Sequence, residues 1–347
     1  MLDDHDLIDG YGSYPDELMR SPIFSTIGGR GYFWFLLFQL FTVDDVDGTN
    51  SVSMNPGCHT FISTIIGGPG SYVPHPGHSI LSYLGPQVSI LLLDGRAERT
   101  LDQVCSPASY DHIFDQIAKL PPTTEHLVIL LGIPIAYPRM NFMEKALGSK
   151  FNPVLALAKN GTTFAGLTNK FNSDAELLDD LNDHWTAAGH KKERNAFVER
   201  CQALARAQRL RISFVSGDVH CAAVGAFKTL SQGRSSHLGT SGDPGRAHDP
   251  RFMLNIVTSA IVNTGPPPTV LKMVNALSEK KHKTMHGAST DEIMIPLFLK
   301  NPDGTASKHK YVYGARNYTK VVWDDKTGEL EFDIRIEKQK GHGTTVG

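Results

Sequence analysis

Three short, uninterrupted apolar segments place the strongest constraint on how this chain can fold. They are Val88–Leu93, Leu127–Leu131 and Ile212–Val215. A strand that is apolar throughout is buried on both faces, which is typical of a parallel sheet covered by helices. Helical periodicity lies between these segments, at Ser109–Lys119 and His190–Gln208. The alternation of strand and helix therefore predicts a layered α/β fold.

Further elements flank this alternation. An apolar helix is predicted within residues 15–42, and another at Asp174–Thr186. Residues 67–86 are punctuated by glycine and proline, which predicts a stretch of turns. Near the end of the chain, two β-rich segments at Tyr311–Trp323 and Glu329–Ile336 predict a hairpin.

The sequence contains no segment that clearly separates two domains. Polar stretches rich in glycine, serine or asparagine occur near residues 43–59 and 231–248, and they are typical of loops. We therefore predict a single domain over residues 1–347 with loop insertions at these two places.

Charge and apolar content bear on several classes of function. The formal net charge is −2 at pH 7, so the chain lacks the basic field that nucleic-acid binding requires. The longest apolar segment, Tyr32–Val43, is about half as long as a membrane-spanning helix. It predicts a buried helix and no transmembrane segment, while peripheral membrane contact stays open.

The cysteines and the first residues bear on the compartment. The four cysteines have irregular spacings and form no Cys-x-x-Cys pair, which favours a reducing compartment over a disulfide scaffold. The acidic start has no apolar stretch behind it, so no signal peptide is expected. We predict a cytoplasmic protein.

Polar side chains follow the third apolar segment directly. Asp218 and His220 lie two residues apart in Ser-Gly-Asp-Val-His, at the strand end where chemistry collects in open α/β sheets. A carboxylate and an imidazole in a tight turn suit Zn, Mn or Fe, and Gly217 lets the backbone turn sharply. In the alternative interpretation, Asp218 caps the next segment and His220 packs in the core.

Three other clusters combine ionisable residues. The first, Asp3-Asp4-His5-Asp6, is either a site or a solvated terminus. In the second, Arg96 or Arg99 either clamps a phosphate or forms an ion pair with Asp94. The third runs from Asp179 to Trp185 and on to Arg194; it either lines a polar cleft or places acids in the first turn of a helix.

The ordered series of these motifs resembles the PhoD-like phosphatases, in particular their fungal-type branch. Asp-Asp-His-Asp at 3–6 is similar to the family segment W-D-D-H-D/E, with Leu2 in place of the tryptophan. The resemblance continues through the runs at 93–99, 132–139, 179–185, 190–195 and 216–220, the segment 249–267 and Arg-Asn-Tyr at 316–318.

The resemblance implies a metallophosphoesterase-like four-layer sandwich of two mixed β-sheets flanked by helices. It implies hydrolysis of phosphoric monoesters or diesters at a dinuclear-type site holding Fe, Ca, Zn or Mn. Asp4, Asp218 and His220 are implied as metal ligands, and His5 as the residue that protonates the leaving group. Arg96 is our candidate for neutralising phosphoryl oxygens.

A phosphoester is the implied partner, and further polar residues within the matching motifs are candidates for its pocket. They are Asp3, Asp94, Arg99, Asp180, Asp183, His184, His190 and Asn317.

The chain departs from the family pattern at its start. The superfamily places a Gly-Asp turn, whose aspartate bridges both metals, upstream of the Asp-Asp-His segment. This sequence begins two residues before Asp3, so we expect a chain that is incomplete at its N-terminus and lacks the first strands. Two alternative functions stay open: a non-catalytic protein that binds through the same cleft, and a hydrolase with Cys221 as its nucleophile.

Overall fold

The computed structural model describes residues 1–42, 63–139, 182–230 and 248–347. The chain divides into two compact units. The first comprises Met1–Ile80, Asp94–Asp115 and Arg139–Arg194, and the second comprises Leu81–Leu93, Gln116–Pro138 and Asn195–Gly347. The predicted insertion near 43–59, nearly all of the one near 231–248, and most of the helix predicted at 174–186 lie outside the described residues. The single domain stays a prediction.

The described residues form helices, strands and two single 3₁₀ turns, at Asp4–Asp6 and His286–Ala288. The helices are α1 (Asp16–Met19), α2 (Pro22–Gln39), α3 (Pro107–Ile117), α4 (Lys191–Gln208) and α5 (Pro268–Ser278). The strands are β1 (Ser63–Ile66), β2 (His78–Tyr83), β3 (Val88–Leu92), β4 (His126–Leu131), β5 (Arg211–Ser216), β6 (Ala222–Thr229), β7 (Met253–Val257), β8 (Thr290–Met294), β9 (Val312–Tyr313), β10 (Asn317–Asp324), β11 (Glu329–Glu337) and β12 (Thr345–Val346).

A hydrophobic cluster built around α2 forms the core of the first unit. The Ser21 side chain accepts a hydrogen bond from Phe24 N, and Pro22 occupies the first helical position, so α2 begins with a cap and a preset φ. Its buried face packs against Leu2 and Tyr11, among others. A Cβ at Gly28 would overlap the Tyr11 hydroxyl, so glycine is required for this packing. The core therefore includes the first residues of the chain.

A large mixed sheet dominates the second unit. β3, β4, β5 and β7 are parallel in that order, and β6 then pairs antiparallel with β7, β8 and β9. The apolar segments of β3, β4 and β5 form the predicted buried strands, in agreement with the α/β class. At Gly225 in β6 a Cβ would overlap the Ala136 carbonyl, so a small residue is needed where these backbones meet.

A second, antiparallel sheet of β10, β11 and β12 also lies in the second unit. The predicted hairpin is present, and its turn closes where Gly328 adopts φ +70° and its N–H bonds Asp324 O at 2.9 Å. The first predicted segment, however, is not one strand. Its start is β9, which pairs with β6 in the large sheet, and the chain then turns into β10.

The apolar helix predicted within residues 15–42 is confirmed as α2, and the short α1 precedes it. One other expectation is wrong in detail. The stretch predicted at 67–86 to consist of turns contains strand β2, because His78–Tyr83 pairs with other strands of the chain. None of the helices in the described ranges is long and apolar enough to cross a membrane.

Candidate functional site

The N-terminal acidic segment is folded onto the first unit. Asp3 caps the 3₁₀ turn Asp4–Asp6: its carboxylate accepts from Asp4 N at 2.9 Å, and Asp6 accepts from Asp3 N at 3.1 Å. Leu2 and Asp4 are buried. The alternative of a solvated terminus does not hold for this segment, and the turn fixes the positions of its side chains.

Three of these side chains present their ligand-type atoms to one another. One atom each from Asp3, Asp4 and His5 lies within 4.8 Å of the other two. Asp4 is buried, whereas His5 is exposed and its Nδ1 lies 3.6 Å from Asp9 Oδ1. Two carboxylates and an imidazole suit Zn, Mn or Fe, so the donors fit a metal ion chemically.

Arg96 links this segment to Asp183. Its Nη2 lies 2.9 Å from Asp3 Oδ1, 2.7 Å from Asp4 Oδ1 and 2.8 Å from Asp183 Oδ2, and its side chain is buried. Burial by itself disfavours the charge, but the three carboxylates hold the pKa of Arg96 well above its ordinary value. The guanidinium is therefore permanently charged and already bound to carboxylates within the first unit.

Asp4 stays ionised for the same reason. Burial alone would raise its pKa, but the Arg96 charge and hydrogen bonds from its surroundings lower that pKa far below the ordinary value. Gly10 N donates to Asp4 Oδ2 at 2.6 Å. The carboxylate is consequently a fixed, charged acceptor in a buried position.

Asp183 holds a second arginine. Arg99 Nε lies 2.6 Å from Asp183 Oδ1, and the Ser13 hydroxyl donates to the same oxygen at 2.8 Å. Gly12, at φ +105°, lets the backbone pass close to the Arg99 side chain, where a Cβ would come within 2.9 Å. Asp183, Arg96 and Arg99 thus form one buried network in the first unit.

Asp94 does not form the ion pair that the sequence left open. Its carboxylate accepts from the Tyr32 hydroxyl at 2.5 Å, from His78 N at 2.8 Å and from the Arg96 backbone N at 2.9 Å. Burial and the nearby Asp94 charge raise the pKa of Tyr32 well above its usual range. Asp94 therefore stabilises the turn that carries Arg96.

The third cluster is described only from Asn182 onward, so Asp180 lies outside the described residues. His190 is buried, and burial together with the Arg99 charge lowers its pKa to about 3. His184 is half-buried, one residue after Asp183. The first unit therefore brings His190 and Asp183 into one network with Arg96 and Arg99.

In the second unit, the turn after β5 has an unusual backbone. Asp218 and His220 both adopt left-handed conformations, with φ +75° and +51°. Non-glycine residues rarely do so, and such conformations cluster at functional sites, where the surrounding structure holds them in place. Gly217 N donates to Gly132 O at 3.0 Å, which ties this turn to the end of β4.

Asn317 supports the same turn from the start of β10. Its Oδ1 accepts from Thr258 Oγ1 at 3.0 Å and from Ser259 N at 2.9 Å, and the Ser259 hydroxyl in turn accepts from His220 N at 3.1 Å. Asn317 is buried and also donates through Nδ2 to two carbonyls. Its amide is therefore committed to positioning the loop that holds His220.

Asn255 is a site-supporting residue that the sequence motifs did not reveal. It is fully buried in β7, accepts from Ile135 N and Ala136 N at 2.8 and 2.9 Å, and donates to Ser216 Oγ at 2.9 Å. The side chain joins the segment after β4 to the end of β5. The sequence signal that could have revealed Asn255 is a polar residue inside an otherwise apolar strand.

Cys221 is unsuited to act as a nucleophile. It is buried against Tyr137, whose hydroxyl lies 3.4 Å from its Sγ, and burial raises the pKa of the thiol to about 12. The described cysteines, Cys105, Cys201 and Cys221, are free. Core packing is the role that the structure gives Cys221.

A family model described as "PhoD related phosphatase" matches residues 1–152 and 146–346 of this chain. The chain belongs to the PhoD-related phosphatase family. This PhoD-related chain is 36% identical over 333 residues to the uncharacterized protein YGR266W of Saccharomyces cerevisiae. The match covers 92% of the chain and 46% of the yeast protein, so the chain spans less than half the length of that relative. No solved structure matches it.

Proposed function

We propose that this chain is a metal-dependent phosphoric ester hydrolase, acting on monoesters or diesters at a dinuclear-type metal site. The proposal includes a metallophosphoesterase-like sandwich flanked by helices, in which the second sheet is antiparallel over the described strands β10, β11 and β12 and not mixed as the resemblance implied. The observation that carries it is the buried, ionised Asp4, held beside Asp3 and His5 in a chain of the PhoD-related family.

Asp4, Asp218 and His220 are the proposed metal ligands. Their oxygen and nitrogen donors suit Fe, Zn or Mn, and a carboxylate-rich set also suits Ca. The left-handed backbone at Asp218 and His220 is compatible with the proposal, since such conformations occur at functional sites, although aspartate and histidine adopt them more readily than most residues. A bound ion would supply Lewis acidity for the phosphoryl oxygens.

The chain's own residues would handle the proton and the charge. His5 is exposed, so its imidazole can reach a leaving alkoxide and donate a proton to it. Asp9, 3.6 Å away, would keep the ring oriented. Asn317 would act by positioning the His220 loop rather than by touching substrate.

Arg96 is proposed to act mainly through Asp4. Its guanidinium already bonds three carboxylates, so contact with a phosphoryl oxygen would require it to give up one of them. Asp3, Asp94, Arg99, Asp183, His184 and His190 would shape the polar surroundings of the phosphoester, and Asp180 remains a candidate from the sequence.

A non-catalytic binding role is the second candidate. It is favoured by one observation: both oxygens of Asp4 already accept hydrogen bonds, from Arg96 Nη2 at 2.7 Å and from Gly10 N at 2.6 Å. The protein therefore neutralises this carboxylate without a metal ion, and it could retain a polar cleft while lacking turnover.

Hydrolysis of p-nitrophenyl phosphate and bis(p-nitrophenyl) phosphate distinguishes the two functions. The purified chain is assayed with EDTA and then with Mn, Zn, Fe or Ca, beside Asp218→Asn and His220→Asn. Asparagine tolerates a left-handed backbone, so these variants replace the carboxylate or imidazole donor with a weaker amide oxygen and keep the turn. Metal-dependent turnover that both variants lose supports hydrolysis; a folded chain that never turns over supports the binding role.

A further inference from the structure

Helix α2 is apolar on two opposite faces. One face, which includes Phe24, Tyr32 and Leu36, is buried in the core of the first unit. The opposite face carries large apolar side chains that are exposed, with Phe38 at 69% and Phe41, just after the helix, at 84%. A helix that borders water normally has a polar outer face, so this one is unusual.

The exposed side chains form a stripe, interrupted at Arg30, which we call the α2 ridge. Ile23 and Ile27 are four residues apart, as are Trp34 and Phe38. The seven residues between the two pairs are about two turns, so all four side chains project from the same side of the helix. Trp34 stacks on Phe38 with ring centroids 5.5 Å apart. The members of the ridge are Ile23, Ile27, Trp34, Phe38 and Phe41.

The backbone at Phe41 is unusual for so bulky a residue. Phe41 adopts φ +54° in the position that closes the helix, where Thr42 N bonds Leu36 O at 2.9 Å. Glycine is the usual residue at such a position, because a bulky side chain is strained there. Because the ring is 84% exposed, packing among the described residues offsets little of that strain, which favours an external partner.

Charge decides what kind of partner fits. The helix carries no acidic residue, and its single charge is the exposed Arg30, which lies between Ile27 and Trp34 along the ridge. A cavity of about 440 Å³ opens beside it. The cavity is lined by Ser25, Thr26, Gly29, Arg30, Phe33 and His75.

We propose that the α2 ridge docks on the surface of an anionic phospholipid membrane. The aromatic and isoleucine side chains would enter the boundary between headgroups and acyl chains, as amphipathic surfaces do. Arg30 and the Ser25 hydroxyl would take a lipid phosphate in the adjoining cavity, whereas the Thr26 hydroxyl already donates to Pro22 O at 2.6 Å. Because its other face is packed in the core, the helix lies along the membrane and does not cross it.

Vesicle flotation in EDTA measures binding without metal-dependent turnover, so this proposal stands or falls separately from the proposed hydrolysis. Vesicles of phosphatidylcholine are compared with vesicles that also contain phosphatidylserine. We expect the full chain to float with the anionic vesicles, and Trp34→Ala/Phe38→Ala to reduce binding by about tenfold or more. The matched control, Leu297→Ala/Leu299→Ala, removes exposed leucines of the second unit and should leave binding unchanged.

Two further variants separate folding from binding. Arg30→Gln should reduce the preference for phosphatidylserine and leave weaker binding to both vesicles. Phe41→Gly should weaken vesicle binding while the melting temperature stays equal or rises, since glycine relieves the strained backbone.

Three outcomes would overturn the proposal. The first is a folded chain that floats with neither kind of vesicle. The second is that the unmodified chain binds no vesicles and that light scattering gives Trp34→Ala/Phe38→Ala a lower mass than the unmodified chain. This result would assign the ridge to contact with a second copy of the chain. The third is full competition by inorganic phosphate with no effect of the aromatic variant, which would assign the cavity to a soluble anion.

Discussion

Arg96 Nη2 lies 2.7 Å from Asp4 Oδ1, and both side chains are almost completely buried. The same nitrogen bonds Asp3 and Asp183, and Arg99 also pairs with Asp183, so Asp3 and Asp4 depend most on the Arg96 charge. Removing one partner of a buried ion pair leaves the others unpaired in a medium that solvates charge poorly. The arrangement makes Arg96 a strict requirement of the first unit.

Arg96→Met should therefore destabilise the chain by about 3–5 kcal/mol. Urea unfolding measures the loss. The control is Arg20→Met, because Arg20 pairs with Asp16 on an exposed surface, where an ion pair contributes at most about 1 kcal/mol. Equal losses in the two variants would contradict the compensating role of Arg96.

A metal ion should partly restore the stability of the Arg96→Met variant. The cation would replace the lost positive charge between Asp3 and Asp4, whose ligand atoms lie within 4.8 Å of each other. We expect Mn or Ca to raise the melting temperature of this variant more than that of the unmodified chain. If both shift equally, the carboxylates do not attract the ion.

His190 should make stability depend on pH. Its pKa is lowered to about 3 in the folded chain, against about 6.5 when unfolded, so between these values only the unfolded chain binds the proton. Stability should then fall as pH falls, by about 1.4 kcal/mol per pH unit from roughly pH 6 to pH 4. His190→Gln should remove that part of the slope in urea titrations; an unchanged slope would assign it to other groups.

Asp218→Gly and His220→Gly should separate stability from function. Glycine fits the left-handed backbone, so folding stability should stay within about 1 kcal/mol or increase, while metal-dependent turnover is lost. Arg209→Gly is the matched control, since Arg209 is left-handed too, at φ +58°, just after α4. It should keep full activity. A turn variant that keeps full turnover would remove that residue from the site.

Asn317→Ala should loosen the loop that holds His220 without changing a proposed metal ligand. It removes the acceptor for Thr258 and Ser259, and residues that orient ligands typically change metal affinity by about 10–100-fold. Metal titration measures the change. Asn301→Ala, which alters an exposed turn of the same unit, should leave the affinity unchanged.

The elements that sequence predicted well depend on local pattern. β3, β4 and β5 followed from continuous apolar runs, and α4 from its periodicity. β6 was not predicted because Ala-Ala-Val-Gly-Ala has low strand propensity, and its small residues are explained only by the contact of Gly225 with Ala136. The division of the predicted Tyr311–Trp323 strand depends on distant partners in two sheets.

The candidate site likewise contains residues that the sequence motifs predicted and residues that they did not. The motifs led to Asp3, Asp4, His5 and Arg96, and the structure places them together in the first unit. The network around Asp183 and the bridging role of Asn255 were not predictable, because each residue acts on segments far away in sequence. Local motifs identify donors, whereas tertiary contacts determine what the donors bind.

The most direct test of the central claim is a metal-binding cycle with Asp4→Asn, Asp218→Asn and the double variant. Calorimetric titration with Mn or Zn gives the affinity of each folded chain. If both carboxylates hold the same ion, each single change lowers the affinity strongly, and the double change costs clearly less than the sum of the two. Additive losses, or unchanged affinity in either single variant, would contradict a shared metal site.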